Sequence, residues 1–216
     1  MAIRKGRTTG VERREQILDA ALGLFAEHGI QHVSTRQIAQ IVGISQPSLY
    51  AHFATSEAIA VELCCRAFDR LRQRMTDVLA IAGTPAERML RAAREYVRFG
   101  LDEPAMYRVA FVLESSSKSA ADAESPALAA GVASFTVFLD FFREVRAASD
   151  EATDIAAQSA WASLHGLVAL LLVRRDFPWA DRERLIDYHL ARTCAAAMIG
   201  VAPVGANALR GASAGG

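Results

Sequence analysis

The sequence predicts an all-α fold, and three observations support that prediction. Apolar residues recur at three- and four-residue spacing along almost the whole chain, which is the period of an amphipathic helix. Glycine, proline and polar capping residues interrupt this period where helices would begin and end. Beyond residue 56 the chain lacks strand alternation, internal repeats and a glycine-rich phosphate loop. We therefore expect about nine helices, since the breaks separate that many periodic segments.

The charges are balanced in total but unevenly placed along the chain. The 216 residues, 52% of them apolar and 22% charged, suffice for one large domain or two unequal ones with a sizeable core. Basic and acidic residues number 24 each, yet residues 1–14 hold one acidic residue, Glu12, against five basic ones. These are Arg4, Lys5, Arg7, Arg13 and Arg14. A basic arm over residues 1–10 indicates an anionic partner such as nucleic acid.

The cysteines and the apolar stretches indicate a cytoplasmic protein. Cys64, Cys65 and Cys194 form neither a paired disulfide framework nor a metal-ligand spacing, so we expect reduced thiols and neither a metal nor a cofactor. The longest apolar stretch, 160–173, is shorter than the roughly 20 residues that span a bilayer. The charged N-terminus is not followed by the apolar run of a signal peptide. We expect no association with a membrane.

The first two helices are predicted from an apolar stripe and a capping box. Helix one is expected over 11–28, because Gly29 stands where the stripe stops. Its stripe consists of Ile17, Ala20, Ala21, Leu24, Phe25 and His28. Ser34 and Gln37 have the spacing of a capping box, in which each side chain bonds the other residue's amide. Helix two is therefore expected over 35–42.

A third short helix completes the outline of a DNA-binding helix-turn-helix. Gly43 supplies the turn, Ser45 is an N-cap candidate, and Pro47 lies in a first turn that needs no amide donor. Helix three is expected over 46–52, packed with helix two on helix one. The inward positions are Ile38, Ala39, Val42, Ile44 and Leu49. The outward positions of helix three carry polar groups suited to base edges and phosphates, namely Gln46, Ser48, Tyr50 and His52.

Two segments of this region resemble the N-terminal signature of the TetR family of bacterial regulators. They read STRQIA at 34–39 and VGISQPSLYAHF at 42–53, and the resemblance extends back over 14–29. It implies that DNA is contacted by Thr35, Gln46, Pro47, Ser48, Tyr50 and His52. One position departs from the family pattern, since Ser56 stands where the family commonly has a lysine at the start of helix four. A phosphate contact is then missing or is replaced by the arm or by the Ser56 hydroxyl.

The expected contacts divide between phosphates and bases. Phosphate contacts position a protein on the duplex, whereas base contacts in the major groove read the sequence. We assign the first role to Arg4, Lys5, Arg7, Thr35 and Tyr50, and the second to Gln46 and Ser48. Simpler roles remain open: the arginines can serve only solubility, His52 can cap helix three, and Tyr50 can be a core aromatic with a partner for its hydroxyl.

The rest of the chain is predicted to be a larger helical domain. Its helices are expected over 57–81, 85–101, 105–114, 126–147, 150–174 and 181–199. The segment 115–125 is polar and is expected to be a mobile loop. The resulting domains are the arm over 1–10, the helix-turn-helix domain over 11–55, the helical ligand-binding and dimerisation domain over 56–200, and a disordered tail over 201–216.

The predicted helix over 150–174 indicates a homodimer. From Trp161 to Val173 apolar side chains occur on every face, so a single core contact cannot cover the helix. An identical helix across a two-fold axis is the simplest second partner, with the last helix beside it, as the TetR resemblance also implies. We expect the interface to include Leu171, Leu172, Tyr188, Ala195 and Ala196. A symmetric dimer predicts a palindromic operator in double-stranded DNA.

Two further segments resemble the ligand-binding domain of the TetR subgroup named for a Trp-His-Gly motif. They read PAMYRVAF at 104–111 and WASLHGL at 161–167. Both place aromatic residues, with one methionine and one histidine, among apolar neighbours, as in a pocket with few polar anchors. We expect a small-molecule effector there, lined by residues from Tyr96, Phe99, Met106, Tyr107, Phe111, Phe138, Trp161 and His165. The alternative is that these residues are core and that His165 is structural.

The function predicted from these features is transcriptional regulation by sequence-specific DNA binding. We expect a repressor whose operator affinity is changed by a small, largely apolar effector. An enzyme is not expected, because no spacing among Cys64, Cys194, His165 and Asp140 holds a nucleophile, a base and an oxyanion donor together. The competing interpretation is a non-catalytic helical interaction module, or a regulator controlled by a protein partner.

Overall fold

The computed structural model describes residues 9–111 and 125–198, and over them the fold is all-α, which confirms the predicted class. This part of the chain forms nine α-helices, one short 3₁₀ helix and no strand. The helices are α1 Gly10–His28, α2 Thr35–Val42, α3 Gln46–Tyr50, α4 Ser56–Ala80, α5 Pro85–Asp102, α6 Pro104–Phe111, α7 Pro126–Arg146, α8 Glu151–Val173 and α9 Arg182–Met198. The 3₁₀ helix is Ile30–His32.

The helix ends differ from the predicted ones at few places. Helix α3 ends at Tyr50, two residues before the predicted end, because the amide of His52 bonds the carbonyl of Leu49 three residues back and tightens the last turn. The 3₁₀ helix Ile30–His32 was not predicted. The predicted end of helix six, most of the arm and of the mobile loop, and the tail lie outside the described residues.

Caps set the boundaries of the first two helices. The capping box of Ser34 and Gln37 is present, since Ser34 Oγ accepts the Gln37 amide at 3.3 Å and Gln37 Oε1 accepts the Ser34 amide at 2.8 Å. An unpredicted second box joins Thr9 and Glu12 at the start of α1. Gly43 follows α2 with φ 72°, a left-handed conformation that a side chain would strain. This glycine lets the chain turn sharply from α2 into α3.

The described chain divides into two compact units. The first comprises 9–74, 98–111 and 125–136, and the second comprises 75–97 and 137–198. Helices α4, α5 and α7 each contribute residues to both units. The first unit is larger than the predicted helix-turn-helix domain because it includes α6, which packs on α1. The predicted domain boundary at residue 55 therefore does not coincide with either unit and stays a prediction.

The core of the first unit fixes α2 and α3 on α1. Phe25 of α1, Ile38 of α2 and Leu49 of α3 are fully buried in one apolar cluster. Burial of each such side chain stabilises the fold by about 1.5–3 kcal/mol relative to exposure. Arg108 of α6 donates from Nη1 to the Ala26 carbonyl near the end of α1, at 3.0 Å. The helix-turn-helix is thus held by its apolar side, and its polar side is left exposed.

In the second unit α8 and α9 pack side by side. Leu164 and Val168 of α8 and Leu190 of α9 are buried there, and Ser163 Oγ lies 3.0 Å from Nε2 of His189. Among the described helices, α8 alone is long and apolar enough to cross a membrane by length and composition. Such a helix is also what a protein core contains, and the many buried residues of α8 within the unit fit that role.

Candidate nucleic-acid interface

A polar cluster joins Thr35, the first residue of α2, to Gln46 and Tyr50, the first and last residues of α3. Gln46 Nε2 donates to Thr35 Oγ1 at 3.2 Å and to the Tyr50 hydroxyl at 2.9 Å. The two hydroxyl oxygens are 3.3 Å apart, so one donates to the other. Three residues that the sequence assigned to DNA contact are therefore brought together and held in fixed positions by their mutual hydrogen bonds.

The exposure of this face differs from residue to residue. Tyr50 is 49% exposed, which excludes the alternative of a core aromatic. Pro47 is exposed and Ser48 is half-buried, with its amide bonded to Ser45 Oγ. His52 is half-buried, and its backbone amide bonds the carbonyl of Leu49. The predicted arm contacts Arg4, Lys5 and Arg7 lie outside the described residues.

Arg14 fixes the end of α3 and was missed by sequence reasoning, which counted it only among basic residues near the N-terminus. Its guanidinium lies 4.0 Å from the centre of the Phe53 ring. It donates to the His52 carbonyl at 3.0 Å and to Glu62 Oε2 at 3.1 Å. These partners are 38 and 48 residues away in sequence, so no local pattern signals them. Arg14 thus joins α1 to the segment after α3 and to α4.

A second ion-pair group extends this connection along α4. Arg66 bonds both carboxylate oxygens of Glu15, at 2.6 and 2.9 Å, and it also reaches Glu62. The hydrogen bonds from Arg66 hold the pKa of Glu15 below its usual value, even though Glu15 is close to solvent. The bidentate geometry is the strong form of an arginine–carboxylate pair. It fixes the orientation of α4 relative to α1, the helix on which α2 and α3 pack.

The second unit contains a cluster of the buried Tyr96 and the half-buried Trp161 and His165. Trp161 Nε1 donates to the Tyr96 oxygen at 3.1 Å, and the Tyr96 hydroxyl lies 3.3 Å from His165 Nδ1. Burial lowers the pKa of His165, which favours the neutral ring at neutral pH. The neutral Nδ1 can then accept the Tyr96 proton. These three residues were predicted for an effector pocket, and the structure brings them together.

The other five residues of the predicted pocket fall in both units. Phe138 lies in the second unit, with its ring centre 4.8 Å from that of Phe142. In the first unit the ring centres of Tyr107 and Phe111 are 4.9 Å apart, and Phe68 packs edge-on to Phe111. The first unit also contains Phe99, which is buried, and Met106, which is half-buried. These contacts are those of aromatic core residues in each unit.

The residues predicted for the dimer interface differ in exposure. Leu171 and Leu172 are 4% and 7% exposed within the single chain, so their side chains already pack inside the second unit. Their neighbours Leu170 and Val173 are 52% and 70% exposed instead. On α9, Tyr188, Ala195 and Ala196 are exposed as an interface requires. On α8 the exposed apolar side chains available to a partner thus include Leu170 and Val173, and an interface at Leu171 and Leu172 stays a prediction.

Three helices packed on one apolar core, with a turn between α2 and α3 and a polar outward face, define the class of helix-turn-helix transcriptional regulators. Residues 17–63 match the family model described as bacterial regulatory proteins, tetR family. Residues 89–202 match the model described as tetracyclin repressor-like, C-terminal domain. The chain belongs to the TetR family. Neither description specifies the Trp-His-Gly subgroup, which stays a prediction.

Individual relatives resemble part of this chain. The transcriptional repressor KstR2 of Mycobacterium tuberculosis is 38% identical over 77 residues, which span 36% of this chain and 38% of KstR2. The tetracycline repressor protein class D of Escherichia coli is 47% identical over 60 residues, 26% of this chain and 28% of that protein. The chain thus aligns with less than two fifths of the length of either relative.

Solved structures match over nearly the whole chain. A protein of unknown function from Rhodococcus sp. RHA1 has a TM-score of 0.73 at 20% identity and covers 89% of this chain and 98% of its own. The ketosteroid transcriptional regulator KstR2 of Mycobacterium tuberculosis has a TM-score of 0.65 at 20% identity, covering 87% and 96%. At this identity the likeness shows a shared fold.

Proposed function

We propose that this protein is a cytoplasmic, homodimeric repressor that binds a palindromic operator through α2 and α3. The observation that carries this proposal is the cluster of half-buried Thr35 and Gln46 with exposed Tyr50, fixed on helices whose opposite side is fully buried. A rigid polar surface on a short helix is what major-groove recognition requires. KstR2 and the class D tetracycline repressor, which resemble part of this chain, are both repressors by name.

The dimer surface in this proposal is a stripe of exposed apolar residues along α8 and α9. The members recur at three-, four-, seven- and eight-residue spacing, so they share one face of each helix. They are Ile155, Ala162, Leu170 and Val173 on α8, and Tyr188, Ala191, Ala195 and Met198 on α9. Two copies joined there would present two α3 helices to successive major grooves, roughly 34–36 Å or a multiple apart.

The effector in this proposal is a small, largely apolar molecule that binds at the cluster of Tyr96, Trp161 and His165 in the second unit, with Trp161 and His165 as polar anchors. Its binding changes operator affinity only through a difference in affinity between two arrangements of the protein. A hundredfold change corresponds to about 2.7 kcal/mol of coupling, within the usual allosteric range. Helix α4 runs without a break from Ser56 to Ala80 and carries the change between effector and DNA.

Selection of fragments from a random DNA pool, followed by gel-shift titration, tests the proposal. We expect a palindromic site whose affinity falls with salt, because each neutralised phosphate contributes about 0.9 to the slope of log affinity on log salt. Alanine at Arg4, Lys5 and Arg7 should flatten that slope. Alanine at Arg174, Arg175 and Arg182, three exposed arginines of the second unit, is the matched control and should leave it unchanged. Failure to enrich any duplex would favour the protein-interaction alternative.

A further inference from the structure

We infer that Arg14 of α1 is a positioning residue for operator recognition, which holds the C-terminal end of α3 in the orientation that the operator requires and does not itself contact DNA. The inference rests on the proposed binding of duplex DNA by α2 and α3, and it adds a residue of α1 to those on which that binding depends. Loss of a positioning residue should reduce the preference for the operator over other DNA, whereas loss of a phosphate contact weakens binding to all DNA.

Helix α3 depends on its neighbours for its orientation. It has five residues, and isolated helices shorter than about 12–15 residues are marginal in water. Side-chain hydrogen bonds from Gln46 and Tyr50 to Thr35 hold it toward α2. Toward α1 and α4, its end is held by Leu49 and Phe53, which are buried in the apolar cluster. Apolar burial is not directional, so a directional contact is still needed to fix the angle of this end.

Arg14 supplies that directional contact. Its Nη1 donates to the His52 carbonyl at 3.0 Å, and its Nη2 donates to Glu62 Oε2 at 3.1 Å. Its guanidinium carbon lies over the Phe53 ring, 4.0 Å from the centre. A planar guanidinium can combine a stacked contact with hydrogen bonds at its edge, and a lysine ammonium cannot. The segment after α3 is thus fixed to α1 and α4 by one side chain.

The charge of Arg14 is compensated inside the protein. Glu62 pairs with Arg14 and with Arg66, and Arg66 also pairs with Glu15. Two arginines and two glutamates therefore form one ion-pair group without net charge. Such a group attracts a phosphate much less than an unpaired arginine does. We assign Arg14 to positioning for this reason, and leave the phosphate contacts to the basic arm.

Substitution of Arg14 by lysine tests the inference while keeping the charge. Affinity is measured by gel shift for the selected operator and for a duplex of scrambled sequence, each at several salt concentrations. For Arg14→Lys we expect a loss of about tenfold on the operator, the effect of one charge-assisted hydrogen bond, and of less than about twofold on the scrambled duplex. The slope of log affinity on log salt should stay unchanged, because no phosphate contact is lost.

Arg66→Lys is the matched control. Arg66 belongs to the same ion-pair group and bonds Glu15 and Glu62, but these bonds do not include the residues after α3. Both variants should lose stability to urea, because each loses contacts of a guanidinium. Arg14→Lys should lose preference for the operator, and Arg66→Lys should keep it.

Two further measurements show whether the effect passes through the end of α3. The amide of Phe53 bonds the Leu49 carbonyl at 3.0 Å, and its hydrogen exchange should be faster in Arg14→Lys than in Arg66→Lys. Phe53→Leu removes the ring under Arg14 but keeps an apolar side chain, so it should show a smaller loss of operator preference. This variant provides the same test if Arg14→Lys does not fold.

Three outcomes would overturn the inference while leaving DNA binding intact. An equal loss on both duplexes in Arg14→Gln, with a lower salt slope, would mean that Arg14 contacts a phosphate. An unchanged operator preference in Arg14→Lys and Phe53→Leu would mean that the angle of α3 does not depend on Arg14. An equal loss of preference in Arg14→Lys and Arg66→Lys would mean that the ion-pair group acts only through stability. Absence of any duplex binding by the unmodified protein would instead overturn the proposed function itself.

Discussion

Two tyrosine-centred clusters contain similar hydrogen bonds but lie in opposite environments. In each, a nitrogen donates to a tyrosine oxygen: Gln46 to Tyr50 in the first unit and Trp161 to Tyr96 in the second. Tyr50 is half exposed, whereas Tyr96 is 5% exposed. An exposed hydrogen bond adds little to stability, because water can replace either partner. A buried polar group that loses its hydrogen-bond partner lowers stability by about 1–3 kcal/mol. Burial therefore decides whether a polar cluster is available to a partner or contributes to stability.

The largest expected effect contrasts two neighbours on α8. Leu172→Asp places a charge inside the second unit and should cost about 3–5 kcal/mol of stability, because the buried leucine is lost and the carboxylate is desolvated. Val173→Asp changes a side chain that is exposed in the single chain, so it should lower the melting temperature much less than Leu172→Asp does, and only through the loss of subunit association. If the stripe forms the dimer, Val173→Asp should yield a folded monomer with weak operator binding. Thermal unfolding and sedimentation of both variants provide the measurements, and equal melting temperatures would contradict the contrast.

An intermediate effect compares the two tyrosines directly. Tyr96→Phe removes the hydrogen bonds to Trp161 and His165 and should lower the free energy of unfolding by about 1–2 kcal/mol. Tyr50→Phe should change stability by less than about 0.5 kcal/mol, as for an exposed substitution, and weaken operator binding. Urea unfolding and gel shifts on both variants are the required measurements. A loss of stability in Tyr50→Phe as large as in Tyr96→Phe would remove the distinction between the clusters.

The smallest expected effect is a pH dependence from His165. Burial lowers its pKa in the folded protein below the unfolded value near 6.5, so the unfolded chain binds the proton more readily. Stability should therefore be level above pH 6.5 and decrease as the pH falls through 6.5 toward the folded pKa. Melting temperatures of the unmodified protein and His165→Gln between pH 8 and 5 test this, and the variant should show the shallower decrease. The opposite slope would mean that a buried partner stabilises the charged ring.

The predictable parts of the candidate interface depend on local chemistry. Ser34 and Gln37 form their capping box, and Gly43 adopts the left-handed turn, because these features involve residues at most a few positions apart. The mutual hydrogen bonds of Thr35, Gln46 and Tyr50 could not be predicted from local sequence, because they join two helices whose relative placement the sequence pattern does not specify. The contact of Arg14 with His52 could not be predicted, because it joins residues 38 positions apart.

The all-α class, most helix ends and the polar face of the helix-turn-helix could be predicted from the sequence. Periodicity, caps and glycine conformations act within a few residues, so a single chain reveals them. The tertiary structure decided which face of α8 is buried. From Trp161 to Val173 the helix is apolar on every side, so its sequence pattern does not predict which face is buried. In the second unit Leu171 and Leu172 are buried, whereas Leu170 and Val173 are exposed. It also decided the partners of Tyr96 and Arg14, because long-range contacts arise only when separate helices meet.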